Sequence, residues 1–312
     1  DSFPNVLSDG YQRERDAFHT KYVSKLEDFK DSDLTESEQM SKAVMAWDCK
    51  MALAQYSFKN DVYMPINQMW TINLIMTQWA SGTSAQPFKT VENYNNWLKR
   101  LDQYNVWLQT AEERMKEGIE KGYVLPKSLI TKVIPQFDAL TTVKTSAEGI
   151  TDVSEHLYYA PILAFPDSFS SENKEQLTEA YTKILMEKLL PSFRSMAFFL
   201  KSNYLSAGRE SSGISDIPNG KAYYNHAIKF YTTTTMTADE IHDLGLKEVT
   251  RILTEMEKVK QQVGFNGELK EFFNYVRGNK ELMPYTDPQE IIDNFNVIHN
   301  KMKPQLKKLF SN

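Results

Sequence analysis

Residues 90–121 read TVENYNNWLKRLDQYNVWLQTAEERMKEGIEK. Tyr94, Trp97, Leu98, Leu101, Tyr104, Leu108, Ala111, Met115 and Ile119 recur every three or four positions, which puts them on one face of a helix. Lys99, Arg100, Glu112 and Lys116 fall off that stripe, where water can solvate them. A helix of this length spans about 45 Å at 1.5 Å per residue. Gly118 and Gly122 mark its fraying end, and Pro126 can open the next helix. A stripe this long and this apolar needs other helices to cover it. The expectation is therefore an all-α chain, a multi-helix array of long amphipathic helices.

Working outward, the same signals recur. Thr35-Glu36-Ser37-Glu38 is a capping box ahead of Met40, Val44, Trp47, Met51 and Ala54 at helical spacing. Pro65 suits the first turn of a following helix and Gly82 its end. Asp152-Val153-Ser154-Glu155 reads as a second capping signature, closed by Pro161. A long helix is expected over residues 171–207, kinked or broken at Pro191 and ended by Gly208. Thr237-Ala238-Asp239-Glu240 is a third box. It opens a helix whose Ile241, Gly245, Val249, Ile252, Met256, Val259 and Val263 share a face, stopped by Gly264. Asp287-Pro288 starts the last helix, running towards Phe310. The β-branched run 232–235 disfavours helix and predicts an extended connection.

The 312 residues are 41% hydrophobic and 25% charged, enough to bury a substantial core and too apolar for wholesale disorder. A net charge of −5 with dispersed cations argues against a dedicated nucleic-acid binder. The most apolar patches, 161–166 and 196–200, are far shorter than the ~18 residues of a membrane span. Cys49 is the single cysteine, so an intrachain disulfide is excluded, and its helical context predicts a small buried residue. The chain opens on Asp1 with no methionine and no signal-peptide pattern, as expected where a leader has been removed. We read 1–312 as one all-α region, with candidate subdomain joints near 141–151 and 207–220.

The chemistry-bearing residues are scattered. His19, His156, His226, His242 and His299 include no two within a helical turn, and there is no H-E-x-x-H, no G-x-S-x-G and no phosphate or dinucleotide loop. No catalytic residue and no metal ligand is assigned. Five residues are candidates for substrate binding. Tyr223, Tyr224 and Tyr231 bracket a short helix and lead into Thr233; phenols and hydroxyls beside a loop can hydrogen-bond a peptide-like ligand, although packing between helices is the competing reading. His242 follows the third capping box by two positions, near the positive end of a helix dipole that favours neutral imidazole.

Several segments together resemble a known bacterial family. They are Met64-Pro65-Ile66-Asn67-Gln68, Ser81-Gly82-Thr83-Ser84-Ala85-Gln86-Pro87-Phe88, Asn95-Asn96-Trp97-Leu98-Lys99-Arg100 and Val124-Leu125-Pro126-Lys127. Tyr223-Tyr224 before Tyr231-Thr232-Thr233-Thr234 follows, and then Glu240-Ile241-His242-Asp243-Leu244-Gly245-Leu246 with Glu248-Val249 and Arg251-Ile252. They resemble domain-of-unknown-function family 885, whose members are often secreted or lipid-anchored and are similar to helical gluzincin peptidases. The resemblance implies that this chain is the N-terminal half of a longer protein, with an H-E-x-x-P-G-H-H-type zinc segment in the C-terminal half. It further implies an extracytoplasmic location, a peptide substrate, the C-terminal half as partner, and zinc held only by that half. On this reading the chain is an inactive scaffold and cleft wall of a secreted zinc metallopeptidase. The alternative is a non-catalytic helical binding or scaffold protein, complete as it stands.

Overall fold

The computed structural model describes residues 3–69, 71–146 and 149–310. The periodic stretches become helices that stack their stripes on one another. In chain order they are α1 (Asp9–Glu27), α2 (Glu36–Tyr56), α3 (Asn60–Tyr63), α4 (Ile72–Ala80), α5 (Val91–Lys121) and α6 (Lys127–Ala139). A small antiparallel hairpin follows, β1 (Lys144–Ser146) with β2 (Gly149–Asp152). Then come α7 (Ala160–Leu163), α8 (Ser171–Ile184), α9 (Leu190–Phe199), α10 (Leu205–Ala207) and α11 (Gly220–Thr232), and finally α12 (Ala238–Gln262), α13 (Leu269–Gly278) and α14 (Pro288–Leu306). The protein is all-α, and its β structure among the described residues is this hairpin and an isolated parallel bridge between Pro126 and Arg209.

The chain divides into two compact units, Asp1–Thr235 and Met236–Asn312. The boundary falls in the threonine run. Both candidate joints, 141–151 and 207–220, lie inside the first unit, and residues 147 and 148 of the former are outside the described residues.

In the first unit α5 is the spine. Thr90 caps it: its hydroxyl accepts from the Asn93 amide, and the Asn93 side chain accepts from the Thr90 N–H. The helix ends at Gly122 in the left-handed region (φ 79°). Tyr94, Trp97, Leu101, Tyr104, Leu108 and Met115 are buried, with α3, α8 and α9 packed on α5, so the stripe read from the sequence is the core. Three polar tips inside this core are paired with partners on other elements. Tyr94 donates to the Pro161 carbonyl (2.8 Å), Trp97 Nε1 donates to the Tyr181 hydroxyl (2.8 Å), and Tyr181 donates to the Tyr158 carbonyl (2.7 Å). His156 is also satisfied, with Nε2 donating to the Leu140 carbonyl (2.9 Å) and Nδ1 accepting from the Tyr158 N–H (3.1 Å).

Several expectations change. Pro191 does not break the long helix: helical backbone runs through 171–207, with π turns at Leu185–Leu189 and Leu200–Tyr204. The first of these widens the helix just where the pyrrolidine would press on the preceding turn, and the Leu190 N–H reaches back to Leu185. Asp152-Val153-Ser154-Glu155 does not open a helix. Asp152 instead accepts from the Ser154 N–H (2.8 Å) as a local turn, and Pro161 lies in the first turn of α7 rather than closing one. Pro65 likewise precedes a non-helical segment, where Asn67 accepts from the Met69 N–H (2.9 Å), and α4 begins only at Ile72. The threonine run is not extended throughout, because Thr232 still belongs to α11 and Thr233 is left-handed at φ 55°. Only the later part of the α2 stripe is covered: Met51 is buried, whereas Met40 is 67% exposed.

In the second unit the third capping box forms as read, with Thr237 accepting from the Glu240 N–H and Glu240 accepting from the Thr237 N–H. Phe272 of α13 packs against Phe265, with ring centroids 5.4 Å apart. Lys260, though mostly buried, donates to the Gly267 carbonyl (2.6 Å) and pairs with Glu257. Phe272 is the one buried apolar side chain of this unit among the described residues. Val249, Ile252 and Val259 on α12, Val263 just after it, and Ile292, Phe295 and Met302 on α14 are all exposed.

Candidate functional site

Three helices of the first unit enclose an open cavity of about 570 Å³. From α2 come Met45, Asp48, Cys49, Ala52, Gln55 and Tyr56, a ladder at three- and four-residue spacing that keeps them on one helix face. From α11 come Tyr223, His226, Ala227, Phe230 and Tyr231, a second ladder of the same kind. Phe18 and His19 of α1, with Asp61 of α3, complete the wall.

Local contacts fix these side chains. The α11 end is anchored through Gly220, whose N–H donates to the Ile217 carbonyl (2.8 Å). A Cβ at Gly220 would lie 2.2 Å from the Ile214 carbonyl oxygen, so only glycine fits. Phe58 lies edge-on to Tyr223 and tilted against His226, both at 5.4 Å, and Phe230 stacks on His226. On the opposite wall the Arg15 guanidinium covers Tyr56 at 3.3 Å from the ring centroid, and the Tyr56 hydroxyl is 3.3 Å from His19 Nδ1. The same nitrogen is 2.9 Å from the Arg15 carbonyl, which requires a proton on Nδ1 and leaves Nε2 the acceptor in the neutral ring. Asp61 accepts from Gln55 (2.7 Å) and from Asn60 (3.0 Å), both neutral amides.

Burial, aided by the nearby Asp61 carboxylate, pushes the Tyr223 phenol up, and burial does the same to Tyr56 against the lowering effect of Arg15. Burial first and the Lys229 charge second hold His226 below its usual range, so near neutral pH it is an uncharged ring. The wall is chiefly apolar and aromatic, with two carboxylates and two imidazoles. Cys49 lines it as a buried thiol that makes no hydrogen bond to either imidazole, so it is not paired as a nucleophile and base.

Of the five residues singled out in the sequence, the structure brings two together: Tyr223 and Tyr231 line the cavity. Tyr224, one position round the helix, is half-exposed and lines no part of it. Thr233 ends α11, its N–H donating to the Lys229 carbonyl (3.0 Å). His242 belongs to the second unit, exposed just past the first turn of α12, with Nδ1 4.0 Å from Asp243. Sequence reading missed His19, Asp48, Asp61, His226 and Phe230. The ladder from Tyr223 through His226 to Phe230 was a usable signal for α11, whereas the apposition of α2 and α11 was not written in any local pattern.

Among the described residues no three His, Cys, Asp or Glu side chains converge as a metal site. His156 spends both nitrogens on backbone groups.

The model of the family described as "Bacterial protein of unknown function (DUF885)" matches residues 1–312. The chain belongs to this family. No curated protein matches this DUF885 chain. A crystal structure of "the putative lipoprotein from Colwellia psychrerythraea" is similar to it with a TM-score of 0.76 at 19% identity, over 95% of this chain and 51% of that one. At that identity the likeness is one of fold. The DUF885 chain spans about half the length of that protein. No helix among its described residues is long and apolar enough to cross a membrane.

Proposed function

We propose that this chain is the N-terminal helical half of a longer extracytoplasmic zinc peptidase, acting as scaffold and as one wall of its substrate cleft. The observation that carries this reading is the uncovered apolar face of the second unit. Ile252 is 41% exposed on α12 and Phe295 63% exposed on α14, in amphipathic helices whose polar sides already face water. Such faces are expected where a further helical layer of the same protein packs. The half-length match to a longer chain of the same fold supports this. The tyrosine-lined cavity of the first unit supplies a surface on which a peptide side chain could rest, and envelope localisation is supported by the lipoprotein description of the similar structure.

The test is to express this chain and a version extended by the downstream coding sequence, and to assay both with zinc and a peptide library. Turnover is expected from the extended protein and none from the 312 residues. An extended protein that binds no zinc and cleaves nothing ends the proposal. A stop codon directly after Asn312 favours the second reading, a non-catalytic binding protein.

A further inference from the structure

The cavity between α1, α2 and α11 has a charge balance that its apolar character conceals. Its wall contains Asp48 and Asp61 and no lysine or arginine. Asp48 makes no ion pair or hydrogen bond among the described residues, and Asp61 is held only by two neutral amides. The nearby cations are engaged outside the wall: Arg15 on the Tyr56 ring, and Lys229 over Trp47 at 5.4 Å. The rings of Phe18, Tyr223, Phe230 and Tyr231 are left on the wall beside these carboxylates. An aromatic face attracts a positive charge through its quadrupole, and more strongly where water is thinned out.

We propose that this cavity binds an organic cation, an ammonium or guanidinium on an apolar stem. The stem lies against Met45, Ala52 and Ala227, and the charged head sits among the tyrosine and phenylalanine rings within reach of Asp48 and Asp61. An anionic ligand is disfavoured by the two carboxylates, and a neutral apolar one gains nothing from them. Because His226 stays uncharged near neutral pH, it adds no competing positive charge there. The inference rests on reading this cavity as a ligand site and not on peptide cleavage. The cation could be a lysine or arginine side chain of a peptide, or a free amine; the chemistry of the head group is the same.

The experiment is calorimetric titration of the 312-residue chain near pH 7.5 with two cationic probes, hexylammonium and the blocked tripeptide acetyl-Gly-Lys-Gly-amide. Their neutral counterparts are 1-hexanol and the norleucine tripeptide. Each cation is expected to bind about tenfold more tightly than its counterpart, the size of a partly desolvated cation–aromatic contact with charge support. Asp48→Asn, at an exposed helix position, should remove most of that preference while circular dichroism stays unchanged. Tyr231→Ala should weaken the cations at unchanged helicity. A free amine that binds as well as the peptide identifies a small-amine site, and binding by the peptide alone identifies a peptide subsite; both sustain the proposal. Equal affinity for cation and neutral counterpart, no binding by either cation, or an Asp48→Asn variant that keeps the preference overturns it. A protein that cleaves no peptide but discriminates these probes loses the peptidase reading and keeps this one.

Discussion

Tyr181 occupies the position where one hydroxyl serves two elements, accepting from Trp97 on α5 and donating to the backbone before α7. Tyr181→Phe leaves a buried indole N–H and a buried carbonyl without partners, at about 1–3 kcal/mol for each group. The expected outcome is a lower urea midpoint with an unchanged m-value. His156 titrates against the fold. Burial holds its pKa below the ordinary value, against the raising effect of the Leu140 contact. As pH falls through about 6.5 the unfolded chain takes up a proton that the native imidazole refuses, so stability declines with acidification in that window. His226, also lowered, adds to the same slope. Urea titrations at pH 7.5 and 5.5 measure it, and His156→Gln should flatten it. The buried phenols act at the other end. Burial raises Tyr94 and Tyr204 to about 12, and Tyr104, Tyr158 and Tyr181 also lie above the usual value. The unfolded chain loses phenolic protons from about pH 10 while the native core keeps them, so stability falls above that pH. Exposed phenols such as Tyr231 ionise first, and the later rise in tyrosinate absorbance at 295 nm, from the five buried phenols, should coincide with the loss of helical circular dichroism. Complete tyrosine ionisation while the helical signal persists would contradict this account.

Among the elements, α5, α12 and the last helix were legible because each carries its own cap and a stripe long enough to register the helical period. Short segments misled for an equally physical reason. Asp and Asn that cap a helix in one context close a local turn in another, as Asp152 and Asn67 do here. Pro191 misled because a proline forbids an ordinary turn but not a π turn. The candidate site depends on where α11 starts, and that is set by Gly220 meeting the turn at residues 214–216. Gly220→Ala forces backbone apart, and a cost of about 1–3 kcal/mol is expected, as for other overpacked sites. Weaker hydrogen-exchange protection should be confined first to α11. Uniform loss of protection along the chain would show that this turn does not govern that helix separately.

For the molecule as a whole, the uncovered faces of the second unit carry the clearest consequence. A charge placed there, such as Val249→Glu, should leave the stability of this chain within about 0.5 kcal/mol, since nothing among the described residues covers the 55% exposed Val249. The same change in the extended protein should be strongly destabilising if a further layer buries this face. Equal midpoints for both extended proteins in thermal unfolding would sink the idea of such a layer.

The sequence by itself determined the helical class, the core stripe of α5, the capping boxes at Thr35 and Thr237 and the scatter of the histidines, because each is a local property of spacing and residue type. It also carried the family, through short motifs dispersed along the chain. Tertiary structure alone decided which tyrosines share a wall, where the chain divides into units and which apolar stripes stay uncovered. A stripe specifies that a helix needs a partner, but apolar burial has no direction and does not specify which one.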